Sequence, residues 1–317
     1  MLSFFPQLYP DELLYSGLAR YHIRSGNTSF RQTEIELFGY YSQQICRVIL
    51  PSNLNYLVNN LPLRSKQTVE NIIQNHSLYP FYATFLIPQE AWVVRESMKK
   101  KLNGSILEMA KVAFNSTDRA KKFLKFCPIC MEEDTQKFGE GYWHRFHQIP
   151  GVMVCSVHNS ALYDSSVIVE TRNTHYHAAS PDNCILNTNT INYTQETLKN
   201  LLVLAKEVEW LISNNMDFKG LAWLRSQYKH YLVNKKLITL FPGSKFIFKE
   251  KDFSKSIFNF YGQDFFETIN QNCIKNPDKY FSNCLLACDI NPVIDRIIHI
   301  LIINFLANSL EFFLGKY

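Results

Sequence analysis

Residues 126–158 constrain this chain more than any other stretch. Cys127 and Cys130 stand two residues apart, and 24 residues later Cys155 and His158 repeat that spacing. Two intervening residues let a tight knuckle turn both side chains toward one metal ion, and two such knuckles supply the four ligands that tetrahedral Zn2+ takes. All four positions are then filled by protein, so the site is expected to be closed and structural. Pro128 lies inside the first knuckle, and Pro150-Gly151 is expected to turn the chain ahead of a short strand at Val152-Met153-Val154. The competing explanation is a set of unrelated small buried side chains, which free cysteines often are. The doubled spacing favours metal.

The rest of the sequence reads as helix. At 317 residues, with 24 Phe and 17 Tyr, there is enough apolar surface for two or three small packed domains and too much for wholesale disorder. We expect a mainly α protein: a helical N-terminal domain over 1–111 with a helix-turn-helix, a small zinc-ribbon module over 112–165, and a helical C-terminal domain over 166–317. In the first part a helix is predicted from Pro10, with Asp11 and Glu12 in its first turn, to a stop at Gly26-Asn27. Ser29 with Gln32 then forms a capping-box pattern that opens a second helix ending near Gly39. Further helices are expected at 52–61, 66–75 and 89–103. His76 reads as a structural histidine, and Trp143, His144 and His147 as packing around the ribbon.

Residues 166–193 are polar and turn-rich and read as a linker or long surface loop. His175, His177 and Cys184 within it form only a partial ligand set. Beyond it, Thr194 is a plausible N-cap for a helix whose apolar face runs from Leu198 to Ile212. A second helix follows from about Leu221 to Asn234, and Asn291-Pro292 is expected to start the last long one. Its apolar run, Ile297 to Ala307, falls short of the roughly 20 residues a membrane span needs. No membrane association is expected. The start of the sequence lacks a secretory pattern and the cysteines outside the metal set show no framework spacing, which predicts a reduced, cytoplasmic protein.

Charge is concentrated. Residues 225–255 hold eight basic and two acidic side chains, a local +6 in a chain whose total is +5. Phe241, Phe246 and Phe248 are interleaved with them. Arg225, Lys229, Lys235, Lys236 and Lys245 are therefore candidates for nucleic-acid phosphates, whose neutralisation releases counterions. A solvated helix face with its aromatics turned inward fits the same pattern equally well. Arg119, Lys121, Lys122 and Lys125 ahead of the first knuckle are open to the same two readings. No phosphate-binding glycine loop, nucleophile elbow or metalloprotease motif occurs, and no carboxylate set stands out. The residues point to a binding protein with no catalytic residues, not an enzyme.

Three stretches, FPQLYPDELLYSGLARYH at the N-terminus, CPIC, and GYWHRFHQIPGVMVCSVH, together resemble the TniQ/TnsD family of transposon target selectors. The resemblance runs through the chain and weakens between about 165 and 220. It implies an adaptor for DNA integration that binds target DNA, either directly or through a CRISPR effector complex with guide RNA. Such an adaptor recruits the AAA+ ATPase TnsC and through it the transposase. Cys127, Cys130, Cys155 and His158 match the family's zinc pattern, and PDELLYSGLARYH belongs to the domain that meets the ATPase. DNA-reading TnsD members are usually much longer, so the chain is expected to be either a short TniQ type or a truncated TnsD type. A zinc-containing helix-turn-helix regulator that binds its own operator is the competing class, and a hydrolase with an unrecognised site is a third.

Overall fold

A computed structural model describes residues 1–41, 48–101, 104–112, 122–169, 175–186, 191–214, 216, 218–242, 246–269, 272–286 and 294–315. The fold is mainly α. The first helices are α1 (Leu14–Ser25), α2 (Phe30–Phe38), α3 (Leu54–Asn60), α4 (Val69–Asn75), α5 (Tyr79–Ala83), α6 (Pro88–Lys99) and α7 (Ile106–Met109). Strand β1 (Lys122–Phe126), helix α8 (Pro128–Phe138) and strand β2 (Tyr163–Val169) form the middle of the chain. Then come α9 (Gln195–Ser213), α10 (Gly220–Asn234), β3 (Ile238–Leu240), β4 (Phe246–Phe248), α11 (Glu250–Tyr261), α12 (Gln263–Ile269), α13 (Asn272–Lys275), α14 (Pro277–Leu286), α15 (Arg296–Ala307) and α16 (Leu310–Leu314).

Local rules account for most of these ends. Gly26 stops α1 in the left-handed conformation, and the Ser29 hydroxyl accepts the Gln32 amide to open α2, giving the expected helix–turn–helix path. Only half of the capping box forms, because the Gln32 side chain turns to Glu36 instead. Thr194 caps α9 through the Thr197 amide, and Leu201, Leu204, Ala205, Val208, Leu211 and Ile212 are buried along one face as their spacing predicts.

The first helix departs from expectation. Pro10 to Glu12 do not begin α1; they form a turn, with Asp11 left-handed at φ 55° and the helix opening at Leu14. The reason is tertiary. Asp11 accepts the Phe146 amide and the Arg145 Nε, each at 3.1 Å, and Glu12 is buried as the partner of Arg20. Both carboxylates are committed to distant groups and cannot serve the helix dipole.

All residues of α15 are buried, as a helix apolar on every side must be, and it forms the axis of the C-terminal part. It packs against α9, α10, α11 and α16. Asp295 caps it through the Ile298 amide; Asn291-Pro292 lies outside the described residues. Tyr228 donates to His299 Nδ1 at 3.0 Å, and Tyr261 donates to the Leu301 carbonyl at 2.9 Å. Arg296 reaches across to the N-terminal part, donating to the carbonyls of Tyr82 and Ala110. Burial pulls its guanidinium down to about 10. Among the described residues, no helix is long and apolar enough to cross a membrane.

Candidate metal centre and basic surface

Strand β1 delivers Cys127, and α8 begins immediately after it. Pro128 occupies the first turn of α8, where its missing N–H costs nothing, and Cys130 sits on that same turn. The first knuckle is therefore a strand-to-helix junction. The second is a tight turn: the Cys155 carbonyl accepts the Asn159 amide at 2.9 Å, and the Cys155 amide donates to the Ser160 carbonyl at 2.8 Å. Asn159 takes the left-handed conformation this turn needs, at φ 54°. The expected strand at Val152–Val154 reduces to one bridge between Val154 and Ala161.

The pairing that frames the site is β1 with β2, antiparallel, with Phe126 opposite Tyr163 and a register shift between Phe123 and Lys125. Gln148 repairs the shift. Its amide accepts the Lys125 N–H at 2.9 Å and donates to the Lys125 carbonyl at 2.8 Å, as a neighbouring strand would.

The four side chains converge. One ligand atom from each of Cys127, Cys130, Cys155 and His158 lies within 4.8 Å of every other, and the three sulfurs are buried. Cys130 and Cys155 Sγ are 3.7 Å apart, nearly twice the ~2.05 Å of a disulfide. His158 Nδ1 stands 3.3 Å from Cys130 Sγ and 3.6 Å from the other two sulfurs. Zn–S bonds of ~2.3 Å and Zn–N bonds of ~2.05 Å in a tetrahedron require edges of about 3.8 Å between sulfurs and about 3.6 Å between sulfur and nitrogen. The quartet fits that geometry and can hold one metal ion.

Its electrostatics ask for a cation. Hydrogen bonds from Cys130 and Cys155 draw the Cys127 thiol well below its ordinary range, while their bonds to Cys127 push Cys130 and Cys155 above it. Burial opposes a charged His158, but Cys127 and Glu133 outweigh it and raise the imidazole. A metal ion replaces the shared protons.

Glu133 is the functional residue that motif reasoning missed. Its carboxylate lies 3.1 Å from His158 Nε2 and fixes which ring nitrogen faces the cysteines. The available signal was an acid one helical turn beyond Cys130. Glu133→Gln is expected to weaken metal affinity about tenfold, the low end for such partners because the carboxylate is exposed. Competition against a chromophoric chelator measures it.

The flanking histidines are structural. His147 is fully buried, and burial lowers it to about 3. His144 Nε2 pairs with Asp134 at 2.8 Å, and His76 Nδ1 donates to the Glu12 carbonyl at 2.7 Å. Among the described residues, His175, His177 and Cys184 do not gather into a metal-holding group.

The centre is docked firmly to the N-terminal lead. The Leu13 amide donates to the Trp143 carbonyl at 3.0 Å, and the Trp143 amide donates to Ser16 Oγ at 3.1 Å. Arg20, almost wholly buried, grips both oxygens of Glu12 at 2.8 and 3.0 Å and reaches Glu140 at 2.7 Å. Its guanidinium stacks on Tyr9, 4.1 Å from the ring centre. Glu12 to Tyr21, the heart of the N-terminal motif, are all buried, so a partner of this part of the chain must touch other residues.

The segment read as a linker is partly interior. Tyr15 donates its hydroxyl to the His175 carbonyl at 3.0 Å and accepts the His177 amide at 3.1 Å. Trp143 Nε1 donates to the His177 carbonyl at 2.7 Å, and Tyr176 between them is buried. Backbone groups make these bonds, so the polar composition did not reveal them.

The basic candidates are spread along one path. Arg225 and Lys229 are half-buried on α10, and the Arg225 Nε is buried without a hydrogen-bond partner. The Lys229 ammonium stands 4.8 Å above the Phe246 ring and that of Lys235 4.8 Å above Phe305. Lys236 is exposed in a left-handed turn, and Lys249 donates to its carbonyl at 3.0 Å. Lys229, Lys235 and Lys236 thus gather beside the β3–β4 pair, while Lys245 lies outside the described residues.

Comparison with known proteins agrees with this arrangement. The sequence pattern of the TniQ family matches residues 3–162, covering the N-terminal helices and the whole metal centre. The chain is also similar to the Transposon Tn7 transposition protein TnsD of Escherichia coli, 26% identical over 168 residues. That similarity takes in 53% of this chain and 33% of the relative, so the chain spans about a third of the length of the curated relative it matches.

Proposed function

Since the chain belongs to the TniQ family, we propose that it is a target-selecting adaptor for transposition, acting through binding energy and not through catalysis. The observation that carries this is the closed quartet beneath the family match: all four ligand positions are supplied by protein, and nothing about the site is open to a substrate. We assign Zn2+ to it, held by Cys127, Cys130, Cys155 and His158, with a purely structural role. In this reading 1–111 is a helical domain, 112–165 a zinc ribbon and 166–317 a second helical domain. The ribbon sets the helical parts in fixed relation.

The adaptor holds target DNA through Arg225, Lys229, Lys235, Lys236 and Lys245, or reaches it through a CRISPR effector, and presents another surface to the ATPase TnsC. Its setting is the cytoplasm. The test is co-purification of the full chain with the TnsC-type ATPase of the same gene neighbourhood, in the presence of ATP and duplex DNA. We expect a stable complex whose yield rises with DNA. No association under any nucleotide or DNA condition would sink the adaptor reading. Tight sequence-specific duplex binding without the ATPase would favour an operator-binding regulator.

A further inference from the structure

The β3–β4 pair presents an apolar surface that the fold does not use. Leu240 is 53% exposed, Phe241 46% and Ile247 60%. Pro242 is exposed beside them. The register explains part of this: Ile238 lies opposite Phe248 and Leu240 opposite Phe246, while Thr239 and Ile247 form the pair on the opposite, outward face. The pair is anchored at its base. Lys249 donates its amide to the Leu237 carbonyl at 3.0 Å and its ammonium to the Lys236 carbonyl at 3.0 Å. Leu237 and Ile238 are buried against the body. The outer end is therefore a supported projection with Leu, Phe, Pro and Ile on its surface and Lys229, Lys235, Lys236 and Lys249 behind it.

We propose that this projection is a wedge for the minor groove of duplex DNA, its lysines on the flanking phosphates and its apolar end against a base step. The proposal rests on the nucleic-acid reading above and names the element that enters the duplex. Charge selects the partner: a local +6 around exposed apolar groups suits a polyanion, which releases counterions on binding. Side-chain type selects the groove. Reading the major groove needs Arg, Asn or Gln aimed at base edges, and the outward positions Thr239, Leu240, Phe241, Pro242 and Ile247 include none of these. Leu, Phe, Pro and Ile are the residues that pry open a step from the minor-groove side. Such a wedge favours flexible pyrimidine–purine steps without contacting their edges.

The test uses the full chain and a fluorescent 40-base-pair random-sequence duplex, with anisotropy as the readout across a salt series. Two variants separate the two levels of the argument. Lys235→Glu with Lys236→Glu is expected to weaken binding and to reduce the slope of log affinity against log salt by about two. Phe241→Ser with Ile247→Thr is expected to weaken binding about tenfold or more while leaving the slope unchanged, as loss of an apolar base contact does. Netropsin, a minor-groove ligand, should displace the wild type, and methyl green, a major-groove ligand, should not.

If the charge variant binds as the wild type does, the nucleic-acid reading itself fails. If the charge variant weakens but the Phe241/Ile247 variant does not, the wedge is overturned and the nucleic-acid reading stands. A Phe241/Ile247 variant that keeps its DNA affinity but changes mass in sedimentation would make the projection an interface between copies and also overturn the wedge. Both substituted sites are exposed, so circular dichroism should show an unchanged fold.

Discussion

Cys130→Ser is expected to release the metal and abolish the cooperative fold of the ribbon. A serine hydroxyl is a poor zinc ligand, and the three remaining donors would surround a site lacking one corner. Structural zinc contributes about 10–16 kcal/mol to small finger peptides, a figure as large as the ~5–15 kcal/mol total stability of a typical domain. The ribbon here has additional support from Trp143 and the N-terminal lead, so the loss should fall toward the lower end. Elemental analysis should find one zinc per chain in the wild type and essentially none in the variant. Thermal unfolding should show an early transition that is absent from the wild type and that excess chelator reproduces. A variant that keeps stoichiometric zinc and the wild-type melting curve would refute the assignment.

Arg20→Ala should cost about 3–5 kcal/mol, the range for removing one partner of a buried ion pair. The cost arises because Glu12 stays behind, buried beneath α1 with two oxygens that Arg20 alone had grasped from the side-chain direction. For a chain of this size that is a fall in Tm of roughly 10 °C. A loss below about 1 kcal/mol would show that water or Glu12 protonation compensates, against the view that this pair fastens the lead to the ribbon. The acid limb of stability should change as well. Burial works against the Glu140 carboxylate, but Arg20, Tyr9 and Arg24 outweigh it and hold it below the usual carboxylate range. A depressed carboxylate stabilises the fold above its unfolded value and loses that contribution as pH falls through its folded one. With Arg20 gone much of the depression goes, so stability should vary less steeply with pH below about 4.

The sequence disclosed the metal quartet because ligand spacing is a local constraint, readable without the fold. It disclosed α9 and α15 because apolar period and length decide a helix that packing then confirms. Local signals misled where distant partners intervened. Asp11 and Glu12 look like first-turn acids, yet Arg145 and Arg20 claim them, and the helix opens at Leu14. The strand expected before Cys155 gives way to β1 and β2, because β1 is written in alternating lysine and apolar residues that read more readily as a basic stretch. The 175–179 segment docks through its own backbone, which leaves no mark on side-chain composition.

Arg296 has a consequence for the order of events during synthesis. The carbonyls of Tyr82 and Ala110 take their donor from a residue that the ribosome adds 214 and 186 positions later. Domains emerging from the ribosome tend to fold as units, the earliest first. Here the earliest unit carries a seat that must wait, hydrated, until α15 is translated and arrives. Any fragment that stops short of residue 296 exposes that seat together with the apolar surface that α15 covers. Such fragments should need a chaperone's protection that the complete protein does not.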